Sequence, residues 1–219
     1  VEPDVWDYII SEVRKIKPDA IFIGESFMCP PETMIRMGES GFDYIFSSSK
    51  WWNYEGDWLL EQYNQTKDYI ASISFPDNHD TDRLIKTCNY DYELFLQRIK
   101  FTALFSKGFY ITDGLEFACE NKFMVDTTRA KDLEKTQYNF MDDIKEILEI
   151  KSKYKPLHEE SNTEILHNDN KYICIKKSYE NQTVLIIINK THSKVKVKLR
   201  KHKLIDKNQL VNGKKKRRI

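Results

Sequence analysis

The chain has 219 residues, of which 40% are hydrophobic and 32% charged, a composition typical of a folded globular protein. It contains no run of about 18 apolar residues and no visible signal peptide, so the sequence predicts no membrane partner. The four cysteines form no C-x-x-C pair and the five histidines are scattered, which argues against a zinc site. We therefore expect buried free thiols and a reducing, cytoplasmic location.

The net charge and the pattern of predicted secondary structure both change near residue 155. Residues 1–155 carry 19 Lys and Arg against 28 Asp and Glu, a net charge of −9, whereas residues 156–219 carry 16 against 6, a net charge of +10. The first part alternates helical and strand patterns, and the second consists of short β-rich runs. We therefore predict a first domain over residues 1–155 and a small antiparallel β-sandwich domain over residues 156–219.

The first domain reads as alternating strands and helices. Apolar residues at helical spacing predict an opening helix over residues 4–17, and short continuous apolar runs predict strands that are buried on both faces. The predicted strands are 20–24, 41–46, 71–75 and 108–112, and the helices after them are 31–39, 58–63, 90–106 and 138–154. This alternation predicts a parallel sheet, whose active residues lie at the carboxyl ends of its strands. In the second domain we predict strands over 163–167, 172–177, 183–189 and 194–199.

Two polar clusters follow predicted strands. Gly24-Glu25-Ser26 comes after the first strand, and Asn78-His79-Asp80 comes after the third. Apolar residues on both sides of Glu25 predict the low-dielectric setting that a general acid requires. Two carboxylates facing each other across one barrel mouth suit glycoside chemistry. The alternative is that each carboxylate caps the next helix or pairs with an arginine.

Three strings carry a resemblance to the α-amylase family, glycoside hydrolase family 13. Residues 22–27, Phe-Ile-Gly-Glu-Ser-Phe, resemble that family's fifth-strand motif. Residues 75–83, Phe-Pro-Asp-Asn-His-Asp-Thr-Asp-Arg, are similar to the seventh-strand motif, and residues 110–117, Tyr-Ile-Thr-Asp-Gly-Leu-Glu-Phe, to the eighth. Residues 47–52, Ser-Ser-Ser-Lys-Trp-Trp, and more loosely residues 127–134, are similar to the branch that contains maltose-1-phosphate maltosyltransferases. The resemblance implies that residues 1–155 are the second half of a (β/α)8 TIM barrel, strands five to eight.

The resemblance also implies catalytic roles. Carried over onto this sequence, Glu25 protonates the leaving oxygen and then activates the acceptor, and Asp80 holds sugar hydroxyls at the cleavage subsite. Glu116, in the third motif, is expected to be structural, and Arg83 is expected to pair with Asp77 or Asp82. No cofactor is implied, although the family often binds a calcium ion, mainly with residues from the other half of the barrel.

Four further residues are implied to bind substrate. His79 is expected to hydrogen-bond the sugar held by Asp80, and Asn78 braces the strand end beside it. Trp51 and Trp52 either stack on sugar faces or belong to the core. The implied ligand is an α-glucan or a maltooligosaccharide, and we expect no nucleic-acid partner, because the basic run at residues 214–218 lacks interleaved aromatic residues.

The family's nucleophile has no counterpart in this sequence. It is an Asp at the end of the fourth strand, and neither Glu2 nor Asp4 lies in that strand motif. We therefore expect the C-terminal portion of a retaining α-glucan enzyme, a hydrolase or transglycosylase, that is inactive alone and pairs with its missing N-terminal half or self-associates. The alternatives are a non-catalytic homologue that binds carbohydrate or a partner, and a nucleic-acid binder that uses its basic tail.

Overall fold

The computed structural model describes residues 3–197 and the backbone of two short segments, 210–211 and 214–215. The helices are α1 (Pro3–Ile16), α2 (Pro31–Glu39), α3 (Trp58–Thr66), α4 (Leu84–Thr87), α5 (Tyr92–Phe105), α6 (Met141–Lys153) and α7 (Lys155–His158). The strands are β1 (Ile23–Gly24), β2 (Tyr44–Phe46), β3 (Ala71–Ser74), β4 (Gly108–Phe109), β5 (Asn162–Asn168), β6 (Tyr172–Tyr179), β7 (Gln182–Asn189), β8 (Leu210–Val211) and β9 (Lys214–Lys215). None of the helices in these residues is long and apolar enough to cross a membrane.

The first four strands form one parallel sheet in the order β1-β2-β3-β4. Gly24 is in register with Ile45, which is in register with Ser72 on the next strand. Parallel neighbours need long crossovers, and α2, α3 and the pair α4 and α5 supply them. All four strands therefore end at the same edge of the sheet, as the alternation of elements predicts.

The burial predicted for the first strand is wrong within the described residues. Ile21 and Ile23 are 67% and 51% exposed, although the run 20–24 has the apolar character of a strand covered on both faces. The physical reason is that β1 is an edge strand of this sheet, bonded to β2 on one side. The apolar run identifies the strand but does not supply the neighbour that would cover it.

The second domain begins as a three-stranded antiparallel sheet in the order β5-β6-β7. These strands confirm three of the four predicted runs. The fourth prediction, 194–199, is wrong over 194–197, which form no strand, and residues 198–199 lie outside the described part of the chain. Alternating Val and Lys favours an extended strand only where a neighbouring strand can accept the hydrogen bonds. Of the basic run at 214–218, the structure describes only the backbone of residues 214–215, which form β9 and pair with β8.

One hydrophobic cluster crosses from the half barrel to the antiparallel sheet. Phe101 and Phe105 of α5 pack in the same cluster as Ile173 and Ile175 of β6. Tyr63 of α3 joins them, and its hydroxyl accepts a hydrogen bond from the backbone of residue 161. The chain thus changes from parallel to antiparallel architecture after α7 while its core continues. The boundary at residue 155 stays a prediction.

All four cysteines are free, and three of them are buried, as expected. Cys29 is half-buried.

Two buried lysines close the carboxyl end of α5. Lys151 of α6 donates to the backbone oxygens of Ala103, Ser106 and Leu157, and Lys177 of β6 donates to those of Leu104 and Phe105. The last carbonyls of a helix lack partners within the helix, so these ammonium groups satisfy them. Burial lowers the pKa of Lys177 to about 7 and the pKa of Lys151 to about 8.

We expect the free energy of unfolding to rise with pH between pH 7 and pH 9. In that window the unfolded chain keeps both lysine protons, whereas the folded chain releases them as the pH passes the lowered pKa values. The two lysines should contribute about 4 kcal/mol to this rise. The buried thiols offset about 1 kcal/mol of it, because burial raises the pKa of Cys88 and Cys174 to about 11 and only the unfolded chain begins to lose those protons by pH 9. Urea unfolding at pH 7, 8 and 9 measures it. Lys177→Met should leave a rise of about 1 kcal/mol from Lys151 alone, and an equal rise in both proteins would contradict this account.

Candidate active site

The candidate catalytic residues leave the sheet at one edge. Glu25 directly follows Gly24, the last residue of β1, and the segment that carries Asp80 follows Ser74, the last residue of β3. Both strands flank β2 in parallel. The fold therefore brings both segments to the carboxyl edge of the sheet, which is the position that the sequence pattern predicts for an active site.

Glu25 is exposed, so the low-dielectric setting predicted for it is wrong in the described chain. The apolar residues around it, Ile23 and Met28, are themselves exposed, because β1 has its only described neighbour on one side. The segment is anchored by Ser26, which is buried and donates its hydroxyl to the backbone oxygen of Phe46 at 2.8 Å. An anchored strand end thus presents the Glu25 carboxyl group to solvent.

His79 and Asp80 form a partly exposed pair beyond β3. His79 Nε2 lies 3.4 Å from Asp80 Oδ2, and both side chains can reach a ligand in solvent. Two lysines hold the backbone of this loop: Lys122 Nζ donates to the oxygen of Asp80 at 2.7 Å, and Lys50 Nζ donates to that of Asp82 at 3.4 Å. Burial lowers the pKa of Lys50. The loop is therefore fixed from both sides.

A buried ion pair supports the same loop from beneath. Arg83 is 2% exposed and Asp77 is fully buried, and Arg83 Nε lies 3.1 Å from Asp77 Oδ2. The same carboxylate oxygen accepts the backbone N–H of Leu84 at 2.9 Å, and Arg83 also donates to the oxygen of Asp113 at 3.0 Å. Arg83 thus pairs with Asp77 rather than Asp82. The sequence had left both aspartates open as partners, because either lies close to Arg83 along the chain.

Asn78 braces this loop. It is buried, and its Oδ1 accepts the backbone N–H of Thr81 at 3.1 Å and the Thr81 hydroxyl at 2.7 Å. The bracing role expected for Asn78 is therefore confirmed, whereas its assignment to substrate binding stays a prediction. An Asn side chain that bonds to the backbone a few residues on is a typical turn former.

The two tryptophans take opposite roles. Trp51 is 46% exposed and packs edge-on against Phe27 and Phe75, with ring centroids 5.2 and 5.8 Å apart. Trp52 is fully buried, packs at a tilt against Phe101 in the core, and donates its indole N–H to the oxygen of residue 55. The sugar-stacking assignment is thus wrong for Trp52. Trp51 is the last residue of a 3₁₀ turn over residues 48–51, and Trp52 is the extended residue after it, so the backbone changes direction between the two side chains.

The described residues contain no group of three or more His, Cys, Asp or Glu side chains that could hold a metal ion. These residues thus offer no cluster of three carboxylates for the calcium ion that the family resemblance allows.

Four parallel strands with crossover helices, followed by a small antiparallel sheet, define the C-terminal half of a (β/α)8 barrel with its terminal β domain. Solved structures of α-amylases are among those that match. The α-amylase from Anoxybacillus superposes with a TM-score of 0.72 at 20% identity, over 87% of this chain and 46% of that one. The α-amylase from Geobacillus thermoleovorans, complexed with acarbose, gives 0.70 at 20% identity over 87% and 46%. The cyclic α-maltosyl-(1→6)-maltose hydrolase from Arthrobacter globiformis gives 0.68 at 13% identity over 86% and 46%.

The chain therefore has the α-amylase fold and spans about half the length of the solved structures that it matches. By sequence, it is 29% identical over 79 residues to the α-1,4-glucan:maltose-1-phosphate maltosyltransferase of Burkholderia pseudomallei, a match that covers 36% of this chain and 7% of that protein. No family model matches the sequence. The predicted fold class and the resemblance to the maltosyltransferase branch are confirmed.

Proposed function

We propose that this chain is the C-terminal part of a retaining α-glucan-active enzyme that acts on α-1,4-glucosidic bonds. The observation that carries the proposal is the common position of two exposed acidic residues, Glu25 and Asp80, past two strands of one parallel sheet. Carboxyl groups at that edge can reach one bound sugar. The α-amylase fold and the local likeness to a maltosyltransferase support an α-glucan or maltooligosaccharide as the ligand.

In this proposal Glu25 donates a proton to the leaving glycosidic oxygen. The resulting carboxylate then takes a proton from the acceptor, which is water in hydrolysis and a sugar hydroxyl in transfer. Asp80 and His79 hold hydroxyl groups of the sugar at the bond that breaks. Their pairing at 3.4 Å orients the imidazole toward the same sugar as the carboxylate.

The retaining mechanism needs a second carboxylate as nucleophile, and we propose that it lies on a strand that precedes this chain. The chain alone is then inactive. Two faces support a partner half barrel. The first is the edge of β1, where Ile21 and Ile23 are exposed. The second is a groove of about 540 Å³ between α6 and the segment 111–116 that follows β4, lined in part by Ile144 and Leu148. In this proposal the first half of the barrel covers both faces and brings the nucleophile. A second copy of this chain would cover them without supplying that residue.

The enzyme hydrolyses the glycosidic bond if water reaches the acceptor position, and it transfers the sugar to another sugar if water is excluded there. The likeness to a maltosyltransferase supports transfer. The free cysteines support a reducing, cytoplasmic location.

Proton NMR of maltoheptaose with the chain alone, and with the product of the complete reading frame that contains it, tests the proposal. We expect new α-anomeric signals only from the complete product. Adding excess maltose then separates hydrolysis from transfer, because a transferase lengthens the acceptor. If the complete product binds maltoheptaose yet leaves it unchanged both with and without inorganic phosphate, the non-catalytic homologue is correct. Activity of the chain alone would contradict the upstream nucleophile.

Trp51 is the tryptophan expected to contact sugar, so Trp51→Ala should weaken the binding of maltoheptaose by the complete product. The expected loss is about fivefold, because one exposed aromatic face contributes on the order of 1 kcal/mol. The unfolding free energy should fall by about 2 to 3 kcal/mol, because the buried half of the side chain packs against Phe27 and Phe75. Calorimetric titration and urea unfolding measure the two effects. Unchanged binding would remove Trp51 from the site.

A further inference from the structure

We propose that Lys50 is a positioning residue for substrate binding. Its ammonium group completes the hydrogen bonding of the buried Asp77 carboxylate through one bound water molecule. This link fixes the loop that carries Trp51 against the loop that carries His79 and Asp80. The role in substrate binding rests on the proposed function, whereas the link itself rests on the geometry of these side chains.

Lys50 connects two loops at the carboxyl edge of the sheet. It lies in the 3₁₀ turn over residues 48–51 that follows β2, and its backbone oxygen accepts a hydrogen bond from Arg98 Nη2 of α5 at 2.9 Å. Its half-buried side chain extends to the loop after β3, where Nζ donates to the backbone oxygen of Asp82 at 3.4 Å. A helix thus holds the backbone of Lys50, while its charge lies at the neighbouring loop.

Asp77 has one carboxylate oxygen, Oδ1, that lacks a hydrogen-bond partner among the described residues. The other oxygen, Oδ2, accepts from Arg83 Nε at 3.1 Å and from the backbone N–H of Leu84 at 2.9 Å, and the whole side chain is buried. An ionised carboxylate has about four acceptor sites, and leaving a buried oxygen unmet is costly. Native proteins satisfy such an oxygen with a further donor, which is a side chain or an ordered water molecule.

Lys50 is the cation that can supply this donor. An ammonium group has three N–H donors, and the contact with Asp82 uses one of them at a long distance. Burial lowers the pKa of Lys50, and the charge of Asp77 opposes this effect more than that of Asp82 does. The two groups therefore interact at close range although they share no direct hydrogen bond. One water molecule that accepts from Nζ and donates to Oδ1 satisfies both groups.

The link spans the two loops that carry the sugar-contacting residues of the proposed function. Trp51 directly follows Lys50, and Asp80 lies three residues after Asp77. The two loops also meet where Trp51 packs edge-on against Phe75, with ring centroids 5.8 Å apart. A ring contact at the surface and a charged link in the interior thus set the position of the tryptophan face relative to the Asp80 carboxylate. Because one sugar chain must reach both, loss of the link should weaken binding without removing a reacting group.

Turnover of maltoheptaose by the complete product tests the proposal. Lys50→Met, which keeps the length of the side chain but has no charge, should raise KM about tenfold and lower kcat less than about twofold, because Lys50 touches no reacting atom. Lys50→Arg, which can again donate to the water, should stay within about threefold of the parent KM. Lys86→Met is the matched control and should leave both constants unchanged, because Lys86 follows the same loop but is exposed. Circular dichroism and urea unfolding establish that each variant is folded.

Asp77→Asn distinguishes positioning from direct contact with sugar. In that background Lys50→Met should add less than about twofold to KM, because the link is already broken. If Lys50 itself contacts sugar, the two effects multiply, and that result overturns the proposal. A crystal structure of this chain decides the geometry even if Asp77→Asn does not fold. We expect electron density for a water molecule within about 3.2 Å of both Asp77 Oδ1 and Lys50 Nζ, and its absence overturns the link.

The outcomes separate this proposal from the proposed function. A complete product that converts maltoheptaose, with a KM that Lys50→Met leaves unchanged, overturns the positioning role alone. A fall in kcat at unchanged KM also overturns it, because Lys50 would then act in the chemical step. A complete product that neither binds nor converts maltoheptaose overturns the proposed function and this role together, while the crystal structure still decides whether the link exists.

Discussion

Replacing Glu25 with Gln is expected to lower the rate at which the complete enzyme converts maltoheptaose by about 10³-fold, in the range found for the loss of a general acid. Gln keeps the size of the side chain but has no proton to donate to the leaving oxygen. Glu25 is exposed and its segment is anchored through Ser26, so the substitution should leave the fold intact. Product formation followed by chromatography measures the rate.

A substrate with a good leaving group separates acid catalysis from a structural effect. Fluoride leaves with little protonation, so the Glu25→Gln enzyme should release a first equivalent of fluoride from α-maltosyl fluoride, in a burst, far closer to the parent rate than it cleaves maltoheptaose. Steady turnover should stay slow, because the second step still needs the Glu25 carboxylate as its base. Glu116→Gln is the matched control, because Glu116 belongs to a motif of the same resemblance but is expected to be structural. A Glu25→Gln enzyme that keeps more than about a tenth of its rate on maltoheptaose would show that another group donates the proton.

Arg83→Met is expected to lower the free energy of unfolding by about 3 to 5 kcal/mol, the cost of leaving a buried charge without its partner. Asp77 is fully buried and would keep only the backbone N–H of Leu84 on the oxygen that the guanidinium now contacts. The same substitution at Arg14 is the matched control. Arg14 pairs with Asp43 at 2.8 Å, but about a third of each side chain is exposed, so its loss should cost less than about 1 kcal/mol.

The double variant Arg83→Met with Asp77→Asn identifies the cause. Asn carries no charge, so a large part of the lost stability should return when both partners change together. Chemical unfolding is measured for four proteins: the parent, Arg83→Met, Asp77→Asn and the double variant. If the double variant is as unstable as Arg83→Met, packing around the guanidinium rather than the uncompensated charge accounts for the loss. In either case the loop that presents His79 and Asp80 depends on this pair, since Asp77 immediately precedes it.

The sequence by itself predicted the order of elements and the edge at which the candidate site lies. Short apolar runs that alternate with helical patterns allow few arrangements other than a parallel sheet with crossover helices. The helix predicted over residues 31–39 has the same bounds in the structure, because Pro31 fixes its first turn. Glu25 and Asp80 follow strands, and the ends of parallel strands share one edge, so their common position follows from the pattern.

Only the tertiary structure decided which of these side chains are exposed. Trp51 and Trp52 are identical neighbours in the sequence, yet Trp51 ends a 3₁₀ turn at the surface and Trp52, in extended backbone just after it, lies in the core. Arg83 has two nearby aspartates, and only the packing beneath the loop selects Asp77. Ile21 and Ile23 have the apolar character of a covered strand but lie at an open sheet edge. The physical reason is common to all three cases: pattern and propensity are local, whereas burial depends on which elements pack against a residue from distant parts of the chain.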